Sequence, residues 1–121
     1  MNKFEAQQAY WSRFGIPAYN ELTVPETERD HYPYITYQKV NGSLDGQVTQ
    51  SAKIYYRSTS WKEIDDKITE MEPFINHQIE IDGGYMKVRK PSANFSQQMS
   101  DPDPAVRVYM LAVEVEFLTR T

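Results

Sequence analysis

Residues 48–75 restrict the possible fold more than any other part of the chain. Val48, Gln50, Ala52, Ile54 and Tyr56 fall on one face of a period-2 pattern, as in a strand with one covered side. Trp61, Ile64, Ile68, Met71 and Ile75 then step by three and four residues, which is the apolar stripe of an amphipathic helix. Between them lies the hydroxyl cluster Ser58-Thr59-Ser60, and Ser60 with Glu63 has the spacing of a capping box. A strand that hands over directly to an amphipathic helix predicts a sheet with helices packed on it.

The rest of the chain extends that pattern. Residues 3–14 predict a helix, with Ala6, Gln7, Gln8 and Ala9 supplying propensity and Gly15 offering a cap. Phe4, Trp11 and Phe14 lie near one side of it, but Gln7 and Gln8 interrupt the stripe. Residues 16–33 read as a long loop punctuated by Pro17, Pro25 and Pro33. A strand over residues 34–40 is followed by the turn dipeptides Asn41-Gly42 and Asp45-Gly46, which predict a hairpin into a strand over residues 48–58. After a helix over residues 60–75 come a strand over 77–81, the turn Asp82-Gly83-Gly84 and a returning strand over 85–89. Residues 90–104, with Pro91, Pro102 and Pro104, form a second loop. The last strand, residues 106–118, is apolar on both faces at first and then alternates with Glu114 and Glu116. That suits a central strand whose far end is exposed on one side. The order α-β-β-α-β-β-β predicts an α+β fold, one mainly antiparallel sheet with two helices packed on it. At 121 residues, the chain reads as one domain, 1–121.

Composition excludes several functions. The absence of cysteine removes disulfides, thiolate zinc sites and cysteine nucleophiles together. No apolar run is long enough to span a membrane, and Met1-Asn2-Lys3-Phe4-Glu5 lacks the pattern of a secretory signal, so synthesis in the cytoplasm is expected. A net charge of -4 argues against a dedicated nucleic-acid binder, and Lys87, Arg89 and Lys90 form the only tight basic group. From Glu63 to Asp82 the carboxylates are accompanied by Lys67 alone.

Catalytic signatures are missing. The glycines follow no phosphate-loop spacing, and no nucleophile elbow occurs. His31 and His77 are far apart and lack the company of a metal site. Asp101-Pro102-Asp103-Pro104 supplies too few oxygens for calcium and reads as a rigid turn into the last strand. No catalytic residue, metal or cofactor is therefore expected. Nine tyrosines and two tryptophans exceed what one small core demands, and such residues suit interfaces, so the chain reads as a part that fits against other proteins.

Five stretches point to one family. They are Phe14-Gly15-Ile16-Pro17-Ala18-Tyr19, Pro33-Tyr34-Ile35-Thr36-Tyr37, Tyr56-Arg57-Ser58-Thr59-Ser60-Trp61, Ile81-Asp82-Gly83-Gly84-Tyr85 and Gln98-Met99-Ser100-Asp101-Pro102-Asp103. In this order they resemble the small tail terminator proteins (minor capsid or tail completion proteins) of long, non-contractile-tailed bacteriophages of Gram-positive hosts. The resemblance spans nearly the whole chain. It implies an α+β subunit that assembles as a hexameric ring on the last ring of the tail tube, stops addition of the major tail protein and presents a docking surface to the head-side connector. The expected location is the head–tail junction of the virion, with DNA passing through the ring without sequence-specific binding. Trp11, Tyr19, Phe95 and Met99 are the expected interface residues, being large and placed in or near the long loops. Asp65, Glu72, Glu114 and Glu116 are candidates for an acidic channel lining that repels DNA, and Lys87 or Arg57 on the same surface counts against that role. Another neck component (a stopper or adaptor), or a non-viral protein-binding module, remains the alternative.

Overall fold

A computed structural model describes residues 1–42, 46–92 and 94–119. Its elements are α1 (Lys3–Ser12), β1 (Ala18–Asn20), a 3-10 turn (Glu26–Glu28), β2 (Tyr34–Tyr37), β3 (Gly46–Arg57), α2 (Lys62–Met71), a second 3-10 turn (Glu72–Phe74), β4 (His77–Ile81), β5 (Gly84–Arg89), β6 (Ser96–Met99) and β7 (Val106–Thr119). The fold is α+β, as expected, with two helices and a seven-stranded, mostly antiparallel sheet.

β7 is the spine. β3 pairs with it antiparallel from Gly46–Phe117 to Arg57–Val106. Along the other edge of β7, β5 covers residues 114–119 and β6 covers residues 108–111, so β5 and β6 lie end to end. The order is β1-β2-β3-β7-β5-β4, with β1 running parallel to β2. The expected alternation of β7 holds: Leu111, Val113, Val115 and Phe117 are buried toward the helices, while Glu114 and Glu116 point the other way and are half-exposed.

β1 and β6 correct the reading of residues 16–33 and 90–104 as loops. Three or four residues flanked by proline carry no measurable period, and both strands form because a longer neighbour supplies the ladder. β2 ends at Tyr37 instead of running to Val40, because the Gln7 side chain captures the Val40 amide (3.0 Å). Part of the predicted hairpin turn, Asp45, lies outside the described residues.

The helix ends also differ. The box expected at Ser60 and Glu63 does not form: Trp61 is the N-cap of α2, and Ser60 Oγ accepts from the Lys62 amide at 3.1 Å. The capping box is at α1 instead. Asn2 Oδ1 accepts from the Phe4 and Glu5 amides (3.0 and 2.8 Å), and Glu5 Oε1 accepts from the Asn2 amide (2.9 Å).

Both helices lie on one face, around which the sheet curls. α1 reaches the β1 edge, where Gln8 Nε2 donates to the Ala18 carbonyl (2.8 Å). It also reaches the chain leading into β4, where Tyr10 Oη donates to the Ile75 carbonyl (2.8 Å). The core between them holds Tyr10, Trp11, Ile35, Ile54, Ile64, Met71, Leu111 and Phe117, all essentially inaccessible. The interrupting glutamine is part of this core. Gln7 is buried, and Gln50 Nε2 donates to its Oε1 at 2.9 Å while Trp11 Nε1 donates to Gln50 Oε1 at 3.0 Å. Gln50 also donates to the Gln38 carbonyl and Gln7 to the Val40 carbonyl, so these buried polar atoms are partnered.

Candidate functional site

The face of the sheet away from the helices has two unlike halves. Where β7 begins, Val106 and Val108 are buried although they point away from the helices. Beside them the Tyr34 ring stacks on Tyr55 (centroids 4.9 Å) and meets Tyr32 (5.3 Å) and Tyr19 (6.3 Å). Burial, with Tyr32 and Tyr55 adjacent, pushes the Tyr34 hydroxyl up to about 12. The Tyr32 hydroxyl is raised by burial and then by Asp101 and Asp30, against the pull of Arg57. Asp30 from the first long loop and Asp101 from the second thus both act on the Tyr32 phenol. The expected turn at Asp101–Pro104 is present: Asp101 Oδ1 accepts from the Asp103 amide and Asp103 Oδ1 from the Ala105 amide, each at 2.9 Å. Arg57 ties it to β3, with Nη1 at 3.3 Å from Asp103 Oδ2.

The other half is open and polar. Thr49 Oγ1 donates to Glu114 Oε1 (3.0 Å), Arg89 Nη2 lies 3.6 Å from Glu116 Oε1, and Lys87 stands opposite Glu116 in the ladder. At the edge of this half, His77, Gln78, Lys87, Arg89 and Lys90 line a groove of about 510 Å³.

On the helix side, α2 turns an acidic surface outward, with Lys62 pairing with Asp66 (2.8 Å) and Lys67 with Glu70 (3.4 Å). The Tyr109 hydroxyl donates to Asp65 Oδ1 at 2.6 Å. That bond, and then burial, pushes the Tyr109 hydroxyl up to about 12.

The expected interface residues do not form one patch. Trp11 must be withdrawn, since it is wholly buried and has no surface to offer a partner. Its stripe looked broken because Gln7, the interruption, belongs to the same core. Tyr19 is half-buried in β1, whereas Phe95 and Met99 are half-buried beside β7 on its other edge. Phe95 also packs against the main core, and its carbonyl accepts from the Ala112 amide (2.8 Å).

The four acids divide as well. Asp65 and Glu72 are exposed on the helix side, while Glu114 and Glu116 lie on the opposite face among Arg89 and Lys87. A surface that includes Glu116 includes Lys87, so the β7 pair makes a charge-balanced face rather than an acidic one. Sequence reasoning missed three exposed apolar side chains, Leu22 (86%), Phe74 (59%) and Met110 (36%). Leu22 carried a signal: it is the only leucine in a mostly polar, proline-marked loop.

Among the described residues, no group of three or more His, Asp or Glu is placed to hold a metal ion, and no helix is long and apolar enough to cross a membrane. His31 is exposed, with Nδ1 3.0 Å from Glu28 Oε2. No protein-family model matches the chain, and neither does any curated protein or solved structure.

Proposed function

We propose that this protein is a structural virion component, a tail terminator that caps the tail tube as a hexameric ring, stops tail polymerisation and offers the head its docking surface. The sequence stretches that resemble that family support the reading. The structural observation that carries it is Leu22, exposed in the first proline-marked loop beside Tyr34 and Tyr55 of the sheet. Loops held in place by a stiff scaffold suit recognition of a partner. An exposed apolar side chain ringed by polar groups is the usual anchor of such a contact.

In this mechanism one end of each subunit matches the growing tube and the other end does not, so addition of tube protein stops when the ring closes. A heterologous contact closes a ring when the subunit rotation divides evenly into a full turn, as at six. DNA passes through without sequence-specific binding. Of the two acidic pairs, Asp65 and Glu72 suit a repelling channel wall, since Glu114 and Glu116 are neutralised by neighbours on their own face.

Light scattering across a concentration series, with negative-stain images of the heaviest fraction, tests the ring. Six-fold rings with a central hole are expected. A strict monomer at every concentration removes self-assembly from the account. Rings that bind head connectors but not tube ends reassign the protein to the head side of the neck.

A further inference from the structure

A closed ring needs two different surfaces on each subunit that fit one another. Two candidates lie on opposite sides of β7 and carry opposite charge. On the β4–β5 side is the groove of about 510 Å³, to which Lys87, Arg89 and Lys90 bring three cations. Arg89 is partly engaged by Glu116 at 3.6 Å, whereas Lys90 is exposed, and its amide is anchored by Asn76 Oδ1 at 2.9 Å. The groove borders β4, the terminal strand of the sheet, which has a strand neighbour on one side only. Glu80 lies on β4 just beyond the groove lining.

On the β1–β2 side, the loop after β1 carries Glu21, Glu26, Glu28 and Asp30 against Arg29 alone. Glu21, Glu26 and Asp30 are exposed, while Glu28 pairs with His31. Pro25 enters the 3-10 turn in extended geometry (φ -60°, ψ 137°), so the acids stand on a pre-shaped segment.

We propose that the acidic loop of a second copy, residues 21–30, docks in the basic groove between β4 and β5, and that this contact joins neighbouring subunits. The inference rests on the ring reading and assigns its two surfaces. A second copy is favoured over a nucleic acid because the matching negative charge sits on this same chain. Glu116 and Glu80 near the groove, with a net charge of -4, oppose a long polyanion.

The test is a charge swap read by light scattering. A groove variant carries Lys87→Glu and Lys90→Glu, and a loop variant carries Glu26→Lys and Asp30→Lys. Each alone sets like charges against each other, so assembly should need at least about ten-fold higher concentration than wild type. An equimolar mixture restores both contacts in alternation, which an even-membered ring accommodates, and should assemble near the wild-type concentration with the variants in equal amounts. Unchanged thermal melting shows that each variant folds, and Lys90→Glu alone serves as the milder second variant. Raising salt should weaken wild-type assembly.

Variants that assemble normally on their own overturn the contact while leaving the ring intact. A mixture that stays dissociated overturns it too, as does a groove variant that keeps assembly but loses retention on DNA. A wild type that never self-associates overturns it outright, and the tail-capping reading then stands or falls separately on binding to tube ends.

Discussion

The indole N–H of Trp11 donates to Gln50 Oε1 at 3.0 Å, deep between α1 and β3. The same amide donates to Gln7 and to the Gln38 carbonyl, so one side chain joins the first helix, the strand it lies on and the chain leaving β2. Replacing Gln50 by Leu strands the Trp11 donor and leaves Gln7 and Gln38 short of a partner. The expected cost is about 2–4 kcal/mol, the range for leaving buried polar groups unpaired. Urea unfolding measures it, and a loss below about 0.5 kcal/mol would show that the network is not structural.

Core and contact residues should separate cleanly. Trp11→Ala is expected to cost about 3–5 kcal/mol through its cavity. Leu22→Ser, at a side chain 86% exposed, should leave stability within about 0.5 kcal/mol of wild type. It should nonetheless weaken partner binding by about ten-fold. Denaturation and a binding titration on the same two variants decide this, and a strongly destabilised Leu22→Ser protein contradicts the assignment.

The hairpin between β4 and β5 turns through Gly83 at φ +79°, with no neighbouring heavy atom within 4 Å of where a Cβ would sit. Gly83→Ala therefore meets only backbone strain, about 1 kcal/mol. The denaturation midpoint should fall with its slope unchanged. Equal stability would mean that the turn relaxes to another geometry.

Two groups give opposite pH limbs. Tyr109, pushed up to about 12 by its bond to Asp65, stays protonated in the folded state after the unfolded chain has begun to ionise. Its contribution is full below about pH 10 and is lost as pH rises toward about 12. His77 is lowered by burial and then by Arg13, so its contribution is full above about pH 6.5 and is lost as pH falls toward the depressed value. Tyr109→Phe should make the alkaline limb shallower, leaving the share owed to Tyr34 and Tyr32, and His77→Gln should make the acid limb shallower. Stability measured at several pH values tests both, and a change in the wrong limb contradicts the corresponding bond or contact.

The β3-to-α2 junction and the course of β7 are legible in the sequence because each carries a period long enough to count, and the β4–β5 hairpin because Asp82-Gly83-Gly84 marks its turn. The buried glutamines are not. Gln7 and Gln50 are 43 residues apart; Gln7 reads as an interruption of an apolar stripe and Gln50 as one position on a strand's covered face, and only the fold makes them partners. β1 and β6 are hidden for a different reason, since their stability comes from β2 and β7 and not from their own composition. The split of Glu114 and Glu116 from Asp65 and Glu72 depends on which face each element presents. Charge counting along a chain carries no such information.

Capping is tested most directly on tail tubes themselves. Purified protein should be added to the cognate tail tube protein as it polymerises, and the tubes imaged by negative stain. Shorter tubes whose ends carry a six-fold ring are expected, with Leu22→Ser reducing both effects. Tubes of unchanged length with bare ends, at protein concentrations well above that of tube ends, would contradict capping.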